Sequence, residues 1–319
     1  MSHKNDVGFD VQATGYPVAE AVREALAFTG HDKLLVESGA DISFKAILHD
    51  PPARPARDPD FYLADGISVY VGRGAIDYFA DACFARVNTD TATITVSVPV
   101  RGHPRADMLV YALVPVMARF GYYALHAGAV SDGRRGYLFM ADSGGGKSTL
   151  TLLATRAGWN FISDDFVYLC RRNESNIVLG VQGAIRLRAD ARAHFPDLIA
   201  SEPEPAGSHK YRIPVAEAFP GRFRSWCEPD VIVIPDVTGE STTRIEYVSR
   251  AEVLAEAMRQ SGPFLVDQRT VPEQLSRLRD LIQHCSCFRL KAGTDILSRP
   301  EILTTLLACA GREAVSELP

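Results

Sequence analysis

The sequence lacks the features that mark several large classes of protein. Lysine and arginine number 34 against 39 aspartate and glutamate residues, so the chain has no basic excess with which to bind nucleic acid or anionic lipid. No segment is apolar over the length of a membrane span, and the first residues lack the apolar core of a signal peptide. These absences predict a cytoplasmic protein that binds neither membranes nor nucleic acid.

Cysteine is also scarce, and its spacing suggests neither a metal site nor a disulfide framework. A chain of 319 residues can bury a core without cross-links, so we expect reduced thiols. With 46% apolar and 23% charged residues, the composition is that of an ordinary globular protein. The cysteines are scattered without a CxxC pair, at Cys83, Cys170, Cys227, Cys285, Cys287 and Cys309.

The first hundred residues contain segments typical of both helices and strands. Apolar residues recur at helical spacing in residues 18–28, whereas residues 66–71 and 91–100 alternate in strand fashion. The second of these strands is rich in β-branched residues, which favour sheets. We therefore expect a smaller α/β region over residues 1–100, which would bind a peptide. Its strand at 91–100 is a candidate sheet edge, open to strand addition by that peptide.

The remaining chain, residues 101–319, has the pattern of a larger α/β region. A helix is predicted near residues 106–120, ahead of the segment that carries the chemistry. In the last third, apolar strands alternate with amphipathic helices, of which residues 251–258 and 273–282 are the clearest. We expect that last third to complete the fold and to contribute little chemistry.

Residues 136–160 combine a short apolar strand, a glycine-rich turn and an amphipathic helix. The strand covers residues 137–140, and the helix begins near Lys147 and ends before Gly158, a residue type suited to a helix C-terminus. Backbone N–H groups in such a turn, with the positive end of the helix dipole, form an anion site. The pattern predicts a P-loop that binds a nucleoside triphosphate through Asp142, Ser143, Gly144, Gly145, Gly146, Lys147, Ser148 and Thr149.

Two side chains of this loop are suited to the charged end of the nucleotide. The ammonium group of Lys147 would neutralise the β- and γ-phosphates, and the hydroxyl of Ser148 would ligate Mg²⁺. One position departs from the usual P-loop pattern, because Ala141 stands where glycine is expected. We expect ATP and Mg²⁺ as the cofactors. The sequence contains no recognisable adenine-binding motif, so GTP and pyrophosphate stay open as alternative donors.

Further polar residues flank the loop at fixed distances. His126 lies 21 residues before Lys147, and Asp164 and Asp165 lie 17 and 18 residues after it. This set resembles the catalytic domain of the HPr kinase/phosphorylase family, which has a His-Gly-type strand, a glycine-rich loop and an Asp-Asp pair at the same spacings. It is most similar to the broader HPr-kinase-like group, some of whose members phosphorylate precursor peptides, including lasso peptides. The resemblance is strong over residues 125–168 and does not cover residues 1–100.

The resemblance implies a fold and a set of roles. The fold is α/β, with an HPr-kinase-like P-loop domain preceded by a smaller α/β region. Asp164 and Asp165 would be an acceptor-side base and a metal-side carboxylate, and His126 would lie beside the γ-phosphate. A serine hydroxyl is a poor nucleophile, so a carboxylate within reach must accept its proton. The residues do not tell which aspartate does so; the resemblance favours Asp165. The family forms oligomers, so homo-oligomerisation is open.

The sequence departs from that family after the aspartate pair. Gly180 falls where the bifunctional enzymes carry a metal-binding glutamate, and Gln182 falls where they carry an arginine. Phosphorolysis depends on this region in those enzymes. We therefore predict a one-way kinase.

A later basic segment is a candidate for stabilising phosphoryl charge. Lys210 and Arg212 alternate around Tyr211, so on a strand they would share one face. A cation delivered to the γ-phosphate would stabilise the transition state, as arginine fingers do; the alternative is a solvated surface strand. Arg186 and Arg188 also alternate and are weaker candidates for the same contact.

Three functions fit these observations. The first is a kinase for a serine or threonine hydroxyl of a peptide or small protein, in particular a ribosomal peptide precursor. The second is a kinase for a small metabolite such as free serine. The third is a non-kinase NTPase or nucleotide-gated module. The aspartate pair disfavours the third, because a pure switch needs no acceptor-side base.

Overall fold

The computed structural model describes residues 10–13, 22–24, 26, 43–48, 52–63, 66–98, 105–181, 183–198, 202–203 and 210–316. The chain divides into two compact units. The first unit comprises Met1–Tyr123 and Pro263–Pro272, and the second comprises Ala124–Gly262 and Glu273–Pro319. Both units contain strands and helices, which confirms the predicted α/β class.

The first unit is built on a seven-stranded mixed sheet. Its spatial order is β1-β2-β7-β6-β5-β4-β3. The pairs β1–β2 and β2–β7 are parallel, and the other pairs are antiparallel. The strands are β1 (Asp10–Ala13), β2 (Ser43–Leu48), β3 (Phe61–Leu63), β4 (Ile67–Val71), β5 (Ala75–Ala80), β6 (Cys83–Asn88) and β7 (Thr93–Val98).

Strands β4 and β7 confirm the two strands predicted from alternation. The expectation that residues 91–100 form a free sheet edge is wrong, because β7 pairs with β2 on one side and with β6 on the other. The predicted helix at 18–28 lies mostly outside the described residues, although 22–24 and 26 are helical.

Helix α1 (Ala106–Arg119) confirms the helix predicted near residues 106–120. Its apolar side chains, among them Leu109, Leu113 and Val116, are fully buried, and the helix contacts β5, β6 and β7. These contacts place α1 in the first unit. The division therefore differs from the predicted boundary near residue 100, which assigned this helix to the following region.

The second unit has a six-stranded sheet with spatial order β11-β9-β10-β18-β20-β19, in which β10, β18 and β20 are parallel. A four-stranded sheet has the order β17-β13-β12-β8, and a three-stranded sheet has the order β14-β16-β15. The strands are β8 (Tyr123–Leu125), β9 (Gly128–Ser131), β10 (Gly136–Phe139), β11 (Asn160–Ser163), β12 (Val167–Arg172), β13 (Ser175–Gly180), β14 (Ala184–Arg188), β15 (Glu202–Pro203), β16 (Lys210–Pro214), β17 (Trp226–Cys227), β18 (Pro229–Val237), β19 (Arg244–Tyr247) and β20 (Ser286–Ala292).

The remaining helices are α2 (Lys147–Arg156), α3 (Ala189–Arg192), α4 (Val215–Ala218), α5 (Arg250–Ser261), α6 (Val271–His284), α7 (Asp295–Ser298) and α8 (Pro300–Ser316). Helices α5 and α6 confirm the two amphipathic helices predicted at 251–258 and 273–282. Among the helices described, none is both long and apolar enough to cross a membrane.

The core of the second unit fixes the position of the glycine-rich loop. Phe139 on β10, Val233 on β18 and Leu290 on β20 are buried together with the apolar side of α2. Near-continuous apolar runs of this kind are expected for parallel strands covered on both faces. Helix α2 ends at Arg156, before Gly158 as predicted. The φ of 99° at Gly158 allows the N–H of Trp159 to donate to the carbonyl of Ala154 at 3.0 Å. The strand and helix on either side of the loop are therefore both anchored.

Candidate functional site

The loop between β10 and α2 has the backbone conformation of a phosphate cradle. Gly144 and Gly146 adopt φ values of 86° and 91°, which only glycine accepts readily. Gly146 is the N-cap of α2, so the first N–H groups of the helix face the loop. A Cβ on Gly145 would lie 2.6 Å from the Cβ of Ala141. The alanine at the first loop position is therefore accommodated because residue 145 has no side chain.

Lys147 is folded back into this loop. Its side chain is buried, and Nζ donates to the carbonyls of Ala141 at 2.5 Å and Asp142 at 3.1 Å. Burial lowers the pKa of the ammonium group, and the charges of Asp165 and Asp164 oppose that shift. The loop therefore holds a cation among its own carbonyl groups, close to the two carboxylates.

The two aspartates that follow β11 occupy different environments. Asp164 is fully buried, and its Oδ2 accepts a hydrogen bond from the N–H of Arg186 at 2.6 Å. Its Oδ1 is buried without a hydrogen-bond partner. Burial, followed by the charge of Asp165, raises the pKa of Asp164 to about 6, whereas interactions with Arg186 and Ser148 oppose the rise.

Asp165 lines a cavity beside the loop, and His126 holds it. Its Oδ1 lies 2.8 Å from Nε2 of His126, which precedes β9. Burial by itself would raise the pKa of Asp165. The hydrogen bond and charge of His126, with the charges of Lys210 and Arg186, reverse this effect, so the pKa lies below its ordinary value. Of the two carboxyl groups, Asp165 is therefore the one that loses its proton more readily.

The other ring nitrogen of His126 is bound by a residue that sequence reasoning missed. Nδ1 lies 2.8 Å from Oε1 of Gln260 on α5, and the Gln260 amide nitrogen donates to Asp142 at 2.9 Å and to Glu256 at 2.8 Å. The last third of the chain, from which we expect little chemistry, thus reaches the site through this residue. The available signal was that Glu256 and Gln260 share the buried side of α5 with Val253 and Ala257.

Basic residues of β14 and β16 border the same cavity. The two strands pair antiparallel, with Arg186 opposite Arg212 and Arg188 opposite Lys210. Strand β16 therefore places Lys210 and Arg212 on one face, as the alternation predicts. Arg186, Arg188 and Lys210 line the cavity, whereas Arg212 does not. The two arginines that the sequence ranked lower thus lie closer to the cavity than Arg212.

The cavity has a volume of about 220 Å³. The predicted site residues that line it are His126, Ser143, Gly144, Gly146, Lys147, Ser148, Thr149, Asp165 and Lys210. Asp142, Gly145, Asp164 and Arg212 do not line it. Asp142 instead contacts Gln260 and forms an ion pair with Arg259 at 3.3 Å.

The residues present fit a magnesium nucleotide. Over the described ranges, no group of three or more His, Cys, Asp or Glu side chains is arranged to hold a metal by itself. Mg²⁺ bound with a nucleotide needs only one or two protein ligands, because phosphates and water supply the others. The unpartnered Oδ1 of Asp164, a carboxylate that interacts with Ser148, is suited to that role. The glycine cradle, which a Cβ would fill, is suited to the phosphates.

Packing explains why residue 180, at the end of β13, is glycine. A Cβ at this position would lie 1.9 Å from the carbonyl oxygen of Ile162 on β11. A glutamate therefore has no room at residue 180 in this arrangement of strands. Gln182, the other departure noted in the sequence, lies outside the described residues.

Comparisons with known proteins add little to this picture. No protein-family model matches the chain, and no curated protein matches it. Among solved structures, it is similar to the Hpr(Ser) kinase/phosphatase from Coxiella burnetii, with a TM-score of 0.34 and 13% sequence identity. That match covers 60% of this chain and 93% of the other chain. A likeness at this level gives no residue-by-residue correspondence, so roles must come from the geometry of the site.

Proposed function

We propose that this protein is an ATP- and Mg²⁺-dependent kinase that transfers the γ-phosphoryl group to a serine or threonine hydroxyl of a peptide or small protein. One observation carries the proposal. A glycine-rich loop at a helix N-terminus and a carboxylate held by histidine line the same cavity. Phosphoryl transfer needs this combination, because a donor phosphate must be positioned beside a group that accepts the acceptor's proton.

The loop would bind the triphosphate. Main-chain N–H groups at the start of α2 would donate to phosphate oxygens, and the Lys147 ammonium would exchange its loop carbonyls for the β- and γ-phosphates. When bound, Mg²⁺ would neutralise phosphate charge, with Ser148 and Asp164 as its protein ligands. The raised pKa of Asp164 in the absence of a cation supports this division, since a buried carboxylate gains most from a nearby positive charge.

Asp165 would orient the acceptor and receive its proton. His126 engages Oδ1, so Oδ2 is the oxygen that would accept a hydrogen bond from the hydroxyl. As the acceptor oxygen forms its bond to the γ-phosphorus, the bond from that phosphorus to the β–γ bridging oxygen breaks, ADP leaves and the hydroxyl proton passes to Asp165. A carboxylate of low pKa can serve this reaction, because in a loose transition state the positioning of the acceptor contributes more than the removal of its proton.

The basic residues of β14 and β16 would stabilise the charge on the phosphoryl group in flight. Lys210 faces Asp165 closely enough to lower its pKa, and it lines the cavity with Arg186 and Arg188. Fixed cations at this position would stabilise transition-state charge. Arg212 lies on the same face of β16 as Lys210 but does not line the cavity, so Lys210 is the better candidate for this role.

The reaction would run in one direction. Phosphorolysis requires inorganic phosphate to be held as a nucleophile beside a phosphoserine. The residue type that assists it in the resembled enzymes is replaced by Gly180, where the Ile162 carbonyl excludes any side chain. Incubating phosphorylated product with millimolar phosphate should release no pyrophosphate, and rapid release would contradict this proposal.

Transfer itself is tested with purified protein, Mg²⁺ and γ-labelled ATP. The acceptors would be serine-containing peptides, the same peptides with serine replaced by alanine, and free serine, with mass spectrometry locating the phosphate. A phosphoserine peptide that disappears in the alanine series supports the proposal. Labelling of free serine alone would favour the metabolite kinase, and nucleotide hydrolysis without any labelled acceptor would favour the NTPase. Repeating the assay with GTP and pyrophosphate identifies the donor.

A further inference from the structure

Helix α5 carries two polar residues on the side that it buries. The helix begins at a capping box, in which Ser249 and Glu252 satisfy each other's main-chain N–H groups. Near its other end, Glu256 and Gln260 are 5% and 3% exposed. Burying such groups costs free energy unless each is hydrogen-bonded, so their partners indicate what they are for.

The amide of Gln260 is fully engaged, and its orientation follows from its neighbours. Both contacts of its nitrogen are carboxylates, Asp142 at 2.9 Å and Glu256 at 2.8 Å, and carboxylates accept hydrogen bonds. The nitrogen must therefore face them, and the oxygen must face His126. An amide oxygen only accepts, so Nδ1 of His126 is the donor at 2.8 Å.

The histidine ring is consequently held at both nitrogens. Gln260 binds Nδ1, and Asp165 binds Nε2. The main chain adds a third contact, because the N–H of His126 donates to the carbonyl of Gln260 at 3.3 Å. A ring bound at one nitrogen can still rotate about its side-chain bonds, whereas a ring bound at both has one orientation.

We propose that Gln260 is a positioning residue for phosphoryl transfer. Its amide fixes the ring of His126, and the ring holds the Asp165 carboxylate toward the acceptor. This inference rests on the kinase function proposed above, and it concerns orientation, not titration. Gln260 touches neither the reacting atoms nor the cavity, so removing its amide should lower kcat and leave substrate binding nearly unchanged.

Two competing roles for Gln260 must be separated from this one. Its contact with Asp142 could matter because it tethers the P-loop to α5. Alternatively, any change of a buried glutamine could loosen the second unit. Gln274 on α6 provides a matched control for the latter. It is 1% exposed, and its amide donates to the main-chain carbonyl of Ala124 at 3.3 Å and contacts no residue of the cavity.

The kinetic experiment compares Gln260→Met, Gln274→Met and Asp142→Ala in the full-length protein. Methionine keeps the length of glutamine without its hydrogen bonds. We expect Gln260→Met to lower kcat by about 10- to 100-fold, with KM for the acceptor and Kd for Mg·ATP within about threefold of wild type. Gln274→Met should leave all three unchanged, and Asp142→Ala should raise Kd more than it lowers kcat. If Gln260→Met fails to fold, Gln260→Asn, which is too short to reach every partner, replaces it.

A second measurement needs no reaction. An imidazole N–H that is hydrogen-bonded to a buried partner is protected from exchange with water and gives a low-field proton resonance, which His126→Asn identifies by its loss. Gln260→Met should abolish the Nδ1–H resonance, and Gln274→Met should keep it. If the protein proves not to be a kinase, this spectrum still decides whether Gln260 holds the ring.

Three results would overturn the inference. The first is unchanged kcat in Gln260→Met although the resonance is lost. The second is a loss of kcat while the resonance persists. The third is a kcat loss in Gln274→Met or Asp142→Ala as large as in Gln260→Met, which would assign the effect to packing or to the P-loop.

Discussion

The loop side and the aspartate side of the cavity are built from different parts of the peptide. The loop side consists of main-chain N–H groups and one lysine, from the eight consecutive residues 142–149 that lead into the first turn of α2. On the aspartate side, side chains act, and they come from segments as far apart as His126 and Lys210, with Gln260 behind them. The same cavity thus joins a local structure and a long-range one.

This difference determines what each side tolerates and what it contributes. A site made of main-chain N–H groups tolerates many changes of side chain, but a Cβ added at one of its glycines would fill it. A site made of side chains depends on each charge and each hydrogen bond. The loop would contact the phosphates before and during reaction, and the aspartate side would act mainly in the transition state. Loop variants should therefore affect nucleotide affinity, and variants of Asp165 and of the residues that hold it should affect kcat. Asp164, as a proposed ligand of Mg²⁺, should behave like the loop.

The largest effect is expected for Lys147→Ala, which removes the positive charge of the loop. We expect phosphoryl transfer to fall by at least about 10³-fold, because the cavity loses its cation nearest the phosphates. Labelled-phosphate transfer is the measurement. Lys291→Ala is the control, since Lys291 forms a surface ion pair with Glu246 away from the cavity. Full activity in Lys147→Ala would contradict the loop's assigned role.

The next largest effect should separate the adjacent aspartates. Asp165→Asn should lower kcat by about 10²- to 10⁴-fold with nearly normal Mg·ATP affinity, because it removes the acceptor for the hydroxyl proton. Asp164→Asn should weaken Mg²⁺-dependent nucleotide binding. Titration calorimetry and steady-state kinetics measure the two quantities. Identical behaviour of the two variants would mean that the roles are not divided.

Gly145→Ala tests whether the glycine loop has room for an added Cβ. The new Cβ would lie 2.6 Å from the Cβ of Ala141, so the loop must open or shift. We expect nucleotide affinity to fall by about 10- to 100-fold, because the shifted loop would lose one or two charge-assisted hydrogen bonds to the phosphates. At Gly183, an added Cβ meets no atom of the described residues within 4 Å, so Gly183→Ala is the control. Equal affinities in the two variants would exclude a tight cradle.

A smaller effect concerns stability and pH in the metal-free, nucleotide-free protein. Burial raises the pKa of Asp164 from 3.8 to about 6, so between these values the folded state binds the proton more tightly than the unfolded state does. Unfolding free energy should therefore fall as pH rises through that window, by an amount on the order of 3 kcal/mol. Asp164→Asn should remove this slope and melt higher than wild type at pH 8. Melting curves across pH with a chelator test this, and parallel profiles would contradict it.

The smallest effect is expected at the outer cations. Arg188 is exposed and forms a 3.7 Å ion pair with Asp190, so water and salt screen it. Arg188→Met should reduce transfer by about three- to tenfold, and the reduction should shrink as salt is added. Arg212→Met, outside the cavity, should have less effect. A larger effect at Arg212 than at Arg188 would reverse the assignment made from the geometry.

The same comparison explains what could be predicted from sequence. The strand, loop and helix at 136–158 obey local rules, because glycine φ values, helix capping and apolar spacing all act within a few residues. The fold class and the helices α1, α5 and α6 could be predicted for the same reason, because apolar spacing within each segment indicates them. The expectation of a free edge at 91–100 failed because the pairing of β7 depends on Ser43–Leu48, which is distant in the chain.

The aspartate side could be predicted only in part. The spacing of His126, Asp164 and Asp165 drew attention to them, but the different burial of the two aspartates depends on the packing around them. Gln260 gave no signal by its type, since glutamine on an amphipathic helix is ordinary. Its partners are 134 and 118 residues away, and only the folded chain brings them together.

The contact between Gly180 and Ile162 also limits how this protein can evolve. A Cβ at 180 would fall 1.9 Å from a main-chain oxygen, and a main-chain atom cannot move aside as the end of a side chain can. Every single substitution at this position would therefore be selected against through folding before any gain in chemistry could be tested. A lineage with this strand spacing could acquire a carboxylate there only after β13 and β11 had first moved apart. The order in which mutations occur, and not only their number, therefore separates this protein from one that carries a carboxylate at the same position.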